Sequence, residues 1–179
     1  SVDLYINDMG VVTQTTVLES ADQLASIAIG EGVTAMDASG APLSSVSMET
    51  LSAEHISEMP FSGTMTFAGM AYDFQPDGAT FSPAVTITFT VSNAEWGQQY
   101  TVREFDTTTG TWIDLPTTYH PESGTISASV SRFCCIALFS GSMPNGATAK
   151  ETKTMAAPPE PIPTPAPTSQ FGIIYNMIV

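Results

Sequence analysis

The sequence predicts an all-β protein: a β-sandwich of short, mostly antiparallel strands followed by an extended Pro-rich C-terminal tail. Three observations carry that expectation. Apolar and polar residues alternate with a period of two through most of residues 1–140. Clusters of Gly, Pro and Asp break the alternation at short intervals, as turns do. Only 12% of the residues are charged, and the rest is rich in Thr, Ser, Gly, Ala and β-branched residues, which suit strands and turns more than helices.

Taken in order, Val2, Leu4 and Ile6 alternate with polar neighbours, and Val12 to Leu18 is a Thr- and Val-rich run. Leu24, Ile27 and Ile29 lead into Gly30-Glu31-Gly32. Asp37 to Pro42 is a turn, because Asp bonds its own backbone, Gly40 supplies positive φ and Pro42 blocks continuation. Leu43, Val46, Met48 and Leu51 form the next strand. Ser52 to Pro60 is the best helix candidate, at about one turn. Thr64 to Phe74 is a strand, and Gln75-Pro76-Asp77-Gly78 a turn. Val85 to Val91 is the clearest strand, with apolar residues on one face and Thr on the other. After a loop around Trp96-Gly97, Tyr100–Phe105 and Thr111–Leu115 form a hairpin through Asp106–Gly110. Pro121 to Gly124 turns into Thr125–Val130, and Phe133–Phe139 is the last strand.

The expected core includes Val85, Ile87, Phe89, Val91, Trp112, Val130, Phe133 and Leu138. The stretches Ile27–Met48 and Tyr72–Ile87 resemble each other, each reading strand, Gly turn, Thr, Pro, strand. Either they are a weak internal repeat or they are two hairpins that look alike.

The composition changes at Ser140. Residues 1–142 are read as the sandwich, 143–170 as a small, polar and then Pro-rich linker, and 171–179 as an apolar strand-like arm. Six prolines fall in the ten positions Pro158–Pro167, which favours a stiff polyproline II spacer. The arm carries Phe171, Ile173, Ile174, Tyr175, Met177, Ile178 and Val179. It is open to three readings: a disordered end, the start of a membrane anchor, or a donor strand that adds to a neighbour's sheet. The third is preferred, because strand addition covers both the apolar surface and the backbone groups.

Eighteen acidic residues face four basic ones, for a net charge of −14. Nucleic-acid binding requires clustered Lys and Arg, and Arg103, Arg132, Lys150 and Lys153 are scattered, so DNA and RNA are not expected partners. Anionic membrane surfaces are disfavoured on the same ground. No apolar run reaches the length of about 20 residues that spans a bilayer. No leader is visible, and Ser1-Val2-Asp3 opens directly into a strand-like run, as in the mature form of an exported chain.

The motifs Asp37 to Leu43, Tyr72 to Pro83, Tyr100 to Phe105, Gly110 to Pro116, and Ser129 to Phe133 leading into Ile136-Ala137-Leu138 occur in this order. In that order they resemble the repeating β-domain of methanogen cell-surface proteins, the type that precedes a C-terminal sorting or anchoring segment. The resemblance covers roughly residues 10–140. A short chain with a single such domain is also similar to the sheath and surface-layer subunits of that group. The resemblance implies a non-catalytic envelope module that polymerises outside the cell. The last strand departs from the family pattern, reading Arg132-Phe133-Cys134-Cys135 where a His-Phe-Ser-like start is usual.

No enzyme is expected. His55 and His120 are the only histidines and each falls in an expected loop. No nucleophile elbow, phosphate loop or His-Glu-x-x-His motif occurs. No cofactor and no metal site are expected: adjacent cysteines are poorly spaced to share a zinc. Asp37, Asp77, Asp106 and Asp114 lie in or beside turns, where Asp has a backbone task, and they suggest no definite calcium ligand set. Cys134 and Cys135 are the notable chemistry. On a strand one thiol faces the core and the other faces outward. They are either two small buried hydrophobes or, in an oxidising setting, candidates for disulfide cross-links between subunits.

The expected function is therefore a structural subunit that self-assembles into an extracellular sheath, surface layer or filament at the cell surface. Its partner is itself, with other envelope proteins as a further class. The alternative is a carbohydrate- or ligand-binding β-module of a surface adhesin, with Trp96, Tyr100, Trp112 and Tyr119 as a stacking platform.

Overall fold

The computed structural model describes residues 1–59, 64–91 and 98–142. The expected linker and arm, residues 143–179, and the loop at Trp96-Gly97 lie outside the described residues. Among the described residues, twelve strands and one short helix follow in order: β1 (Val2–Asp3), β2 (Thr16–Glu19), β3 (Ala25–Ile29), β4 (Thr34–Met36), β5 (Ser45–Thr50), α1 (Ala53–Glu58), β6 (Thr66–Gln75), β7 (Thr80–Thr90), β8 (Gln98–Asp106), β9 (Thr111–Asp114), β10 (Thr117–His120), β11 (Thr125–Arg132) and β12 (Cys135–Ser142).

These strands make two sheets. Sheet one runs β1-β5-β6-β12-β8-β9, and sheet two runs β10-β11-β7-β3-β2 with β4 also paired to β7. Every pairing between named strands is antiparallel. The protein is thus an all-β sandwich of the expected class.

The alternation that marks β7 places Val85, Ile87 and Phe89 in the space between the sheets. Ile126, Ala128 and Val130 of β11 and Ile27 and Ile29 of β3 flank them in the same sheet, and Val102, Ile136 and Leu138 come from sheet one. Burying such side chains stabilises by roughly 1.5–3 kcal/mol each. Of the expected core, Val85, Ile87, Phe89, Val130, Phe133 and Leu138 are buried. Val91 is half-buried against that core, and Trp112 is half-buried on the opposite face of sheet one.

β7 is long because it changes partner. Its first residues pair with β4 at Ser82, Phe81 and Thr80, and its later ones pair with β3 from Thr86 to Phe89. Its register with β11 shifts between Val130 and Arg132. Pro83, which has no N–H to offer a ladder, sits at that change of partner.

Two crossovers between the sheets fasten each other. The β6–β7 connection receives hydrogen bonds from the β11–β12 connection and returns them: Phe133 N–H donates to Ala79 O, Gly78 N–H to Phe133 O, and Phe74 N–H to Cys134 O. The Phe133 ring lies 5.2 Å from that of Phe74 and 4.5 Å from that of Phe81.

Several expectations are corrected in detail. The run from Val12 to Leu18 is a strand only from Thr16, and Val11 and Val12 make isolated bridges to Thr34 and Ile6. Gly10, at φ +76°, turns this segment so closely that a Cβ there would lie 2.8 Å from Met36. Thr117–His120 forms the strand β10, which the sequence pattern missed. Neither His occupies a loop: His55 is on α1 and His120 on β10. The two similar stretches are not hairpins. Chain passes from sheet two to sheet one between β3 and β5, and from sheet one to sheet two between β6 and β7.

Candidate functional site

The residues singled out for chemistry are Cys134, in the bend just before β12, and Cys135, the first residue of that strand. As alternation requires, their side chains point to opposite faces of sheet one. Cys134 joins the core between the sheets, and Cys135 joins a second apolar cluster on the outer face. That outer face is not open. Cys135 clusters there with Ile56 of α1, Ala71 of β6, and Ala137 and Phe139 of β12, all buried. The thiol expected to face outward is therefore covered, at 9% exposure against 3% for Cys134. The alternation gave the correct faces, but it does not say whether a third layer lies over one of them.

Helix α1 supplies part of that layer. Ser52 caps it by accepting a hydrogen bond from His55 N–H, and Ile56 is its one buried side chain. Aromatic rings supply the rest. Phe139 meets Phe67 at 6.3 Å and Trp112 at 5.2 Å, and Trp112 meets Phe105 at 5.2 Å, all edge to face. The Arg103 guanidinium lies 4.9 Å over the Phe139 ring while its Nε donates to Asp114. Sequence reasoning missed this layer. Its trace was present, since Phe133–Phe139 is a continuous apolar run, as in strands buried on both faces.

Burial pushes both thiols up, to about 12, with Glu104 adding to the effect at Cys134 and Asp73 at Cys135. Neither is bonded to another cysteine within the chain. At neutral pH they are protonated and shielded, so neither is a ready nucleophile or ligand.

Of the acidic residues singled out, Asp37 and Asp106 are engaged in their own turns, and Asp114 of β9 pairs with Arg103. The Asp37 carboxylate accepts from Ser39 Oγ and from the Ser39 and Ala41 N–H groups. The Ser39 hydroxyl is the chief reason that its pKa is lowered. Asp106 is lowered chiefly by the Thr108 N–H, then by the Thr109 hydroxyl. Asp22 has a structural partner that the sequence did not reveal. The buried Tyr72 of β6 donates across the sandwich to the Asp22 carboxylate in the β2–β3 turn, at 3.0 Å to Oδ2. Burial pushes Asp22 up, but bonds from Ser20, the Leu24 N–H and Tyr72 outweigh it and hold the carboxyl below its ordinary value. Among the described residues no three His, Cys, Asp or Glu side chains are grouped to hold a metal ion.

The expected stacking platform is split. Tyr100 packs toward the core and meets Tyr119 at 5.8 Å, whereas Trp112 packs into the outer cluster of sheet one. Trp96 lies outside the described residues. His55 and His120 are far apart in sequence and role. His120 bonds Ser127 Oγ across the β10–β11 pair at 2.8 Å, and His55 sits on the exposed side of α1. The arm residues Phe171, Ile173, Ile174, Tyr175, Met177, Ile178 and Val179 lie outside the described residues. No helix among the described residues is long and apolar enough to cross a membrane.

A scan against protein-family models matches no family, and a search of curated proteins finds no match.

Proposed function

We propose that the chain is a structural subunit that self-assembles into an extracellular sheath, surface layer or filament of a cell envelope. The observation that carries the reading is the pairing of a filled interior with open edges. The space between the sheets is packed with aliphatic and aromatic side chains, and the outer face of sheet one carries a further apolar layer. Both sheets nevertheless end in strands paired on one side only among the described residues: β1 and β9 in sheet one, β10 and β2 in sheet two. Such edges offer backbone donors and acceptors for strand addition by another chain. The order of turn and strand motifs that resembles methanogen surface domains supports the same reading.

Imaging of purified full-length protein tests it. Extended ordered assemblies are expected. A monodisperse monomer that binds glycans would overturn the reading in favour of a ligand-binding module. The docking role proposed for Phe171–Val179 is tested separately by truncation after Pro167, which is expected to weaken assembly.

A further inference from the structure

We infer that copies of this chain join side by side through sheet two, the β2 edge of one copy meeting the β10 edge of the next in a head-to-tail contact. This rests on the self-assembly reading and specifies its joint.

Among the described residues the exposed large hydrophobic side chains are Tyr5 (60%), Met9 (71%), Val17 (54%), Ile113 (42%) and Tyr119 (40%). They are not scattered. Tyr5 and Met9 belong to the segment that runs from β1 to β2, and Val17 is on β2, so these three mark one lateral side of the sandwich. Ile113 on β9 and Tyr119 on β10 mark the opposite side. Apolar surface concentrated at two opposite edges fits a contact that uses both in each copy.

Charge selects sheet two over sheet one. The edge strands of sheet one, with the adjoining β5 and β8, carry Asp3, Glu49, Glu104, Asp106 and Asp114 against the single cation Arg103, which pairs with Asp114. Joined edge to edge, these would bring carboxylates together. The strands of sheet two carry a single carboxylate, Glu19 on β2, and a single histidine, His120 on β10. Thr118, Ser127, Thr88, Ser26 and Glu19 form one continuous row across the five strands. A copy displaced along that row sets its Glu19 beside Thr118, diagonal to His120 on the same face, within reach of a cross-strand pair.

The backbone is prepared for the contact. Ser20 N–H donates inward to Ala25 O, and Ser129 N–H donates to Pro116 O. The alternation of an antiparallel ladder then turns the peptide groups of Val17 and Glu19, and of Thr117 and Tyr119, away from their partner strands. Each edge is four residues long. Four antiparallel pairings separate β10 from β2, so the two run in the same direction and a displaced copy pairs with them in parallel. The two surfaces differ, so the contact is heterologous and propagates instead of closing as a dimer. Five strands spaced about 4.8 Å apart give a subunit repeat of about 24 Å along the joined sheet.

The test is the concentration at which full-length protein assembles, followed by sedimentation and electron microscopy, with circular dichroism to confirm folding. Val17→Glu and His120→Glu, both at exposed positions, are each expected to raise that concentration about tenfold or more. Adding Glu19→Lys to His120→Glu is expected to recover most of the loss, because the two repelling carboxylates on that diagonal are replaced by an ion pair. Folded variants that assemble at the wild-type concentration would overturn the edge joint and leave self-assembly standing. Discrete closed dimers would overturn the joint as well. Wild-type protein that stays monomeric at every concentration would overturn both the joint and the reading beneath it.

Discussion

Tyr72 reaches from β6 in sheet one to Asp22 in the β2–β3 turn of sheet two, and its ring lies 5.9 Å from that of Phe89. Tyr72→Phe keeps the ring and removes the hydroxyl. A hydrogen bond to a charged group contributes about 1.5–3 kcal/mol, so unfolding stability is expected to fall by about that much, read as a lower denaturant midpoint at unchanged slope. An unchanged midpoint would mean that the bond adds nothing to the tie between the sheets. The cysteines give a second test. In the unfolded chain they ionise near the ordinary value of 9, and in the folded chain burial delays this to about 12. Their contribution to stability is therefore complete below pH 9 and is lost as the pH rises from 9 toward 12. The folded protein at neutral pH is expected to resist thiol reagents, with both cysteines reacting once it is unfolded. Rapid modification of native protein would refute the covered position of Cys135.

At the level of elements, the strands whose pattern depends on one solvated face were legible. β7 shows it best, with Val85, Ile87 and Phe89 inward and Thr86, Thr88 and Thr90 outward. The β8–β9 hairpin was legible from its turn, where Gly110 takes φ +67° and donates to Asp106 O. The short edge strand β10 was not, because its four residues Thr117–His120 bury little and carry little periodicity. The third layer was invisible for another reason. One turn of helix gives almost no amphipathic signal, and Ile56 is the only residue through which α1 is anchored by burial. Ile56→Ala is expected to cost about 2–5 kcal/mol and, where the fold persists, to make Cys135 react with alkylating agents faster than Cys134. Equal protection of both thiols in a folded Ile56→Ala protein would show that the aromatic rings alone shield Cys135. The expected site was thus legible as two opposed thiols and illegible as two covered ones.

For the whole molecule, charge sets the condition for the proposed assembly. The net charge of −14 is carried entirely by residues 1–142, because the two lysines and two glutamates beyond them cancel. Copies that approach one another therefore repel, and any joint between them must overcome that repulsion. At physiological ionic strength the field is screened beyond about 8 Å, which weakens the repulsion between distant faces but leaves contacts at the joint itself. Added salt is therefore expected to favour assembly up to about 0.15 M and to change it little beyond that, if backbone pairing and apolar contact hold the copies together. Acidification toward pH 4, near the isoelectric point of about 4.1, is expected to promote association further by neutralising carboxylates. The held-down Asp22, Asp37 and Asp106 give this trend a lower limit. Their stabilising bonds are present above the ordinary carboxylate range and are lost as the pH falls through their lowered values. Light scattering across pH and salt checks both halves. If assembly instead dissolves as salt rises from 0.01 to 0.15 M, a range given by the order of the screening length, opposite charges hold the copies together, and the apolar edge contact is not what joins them.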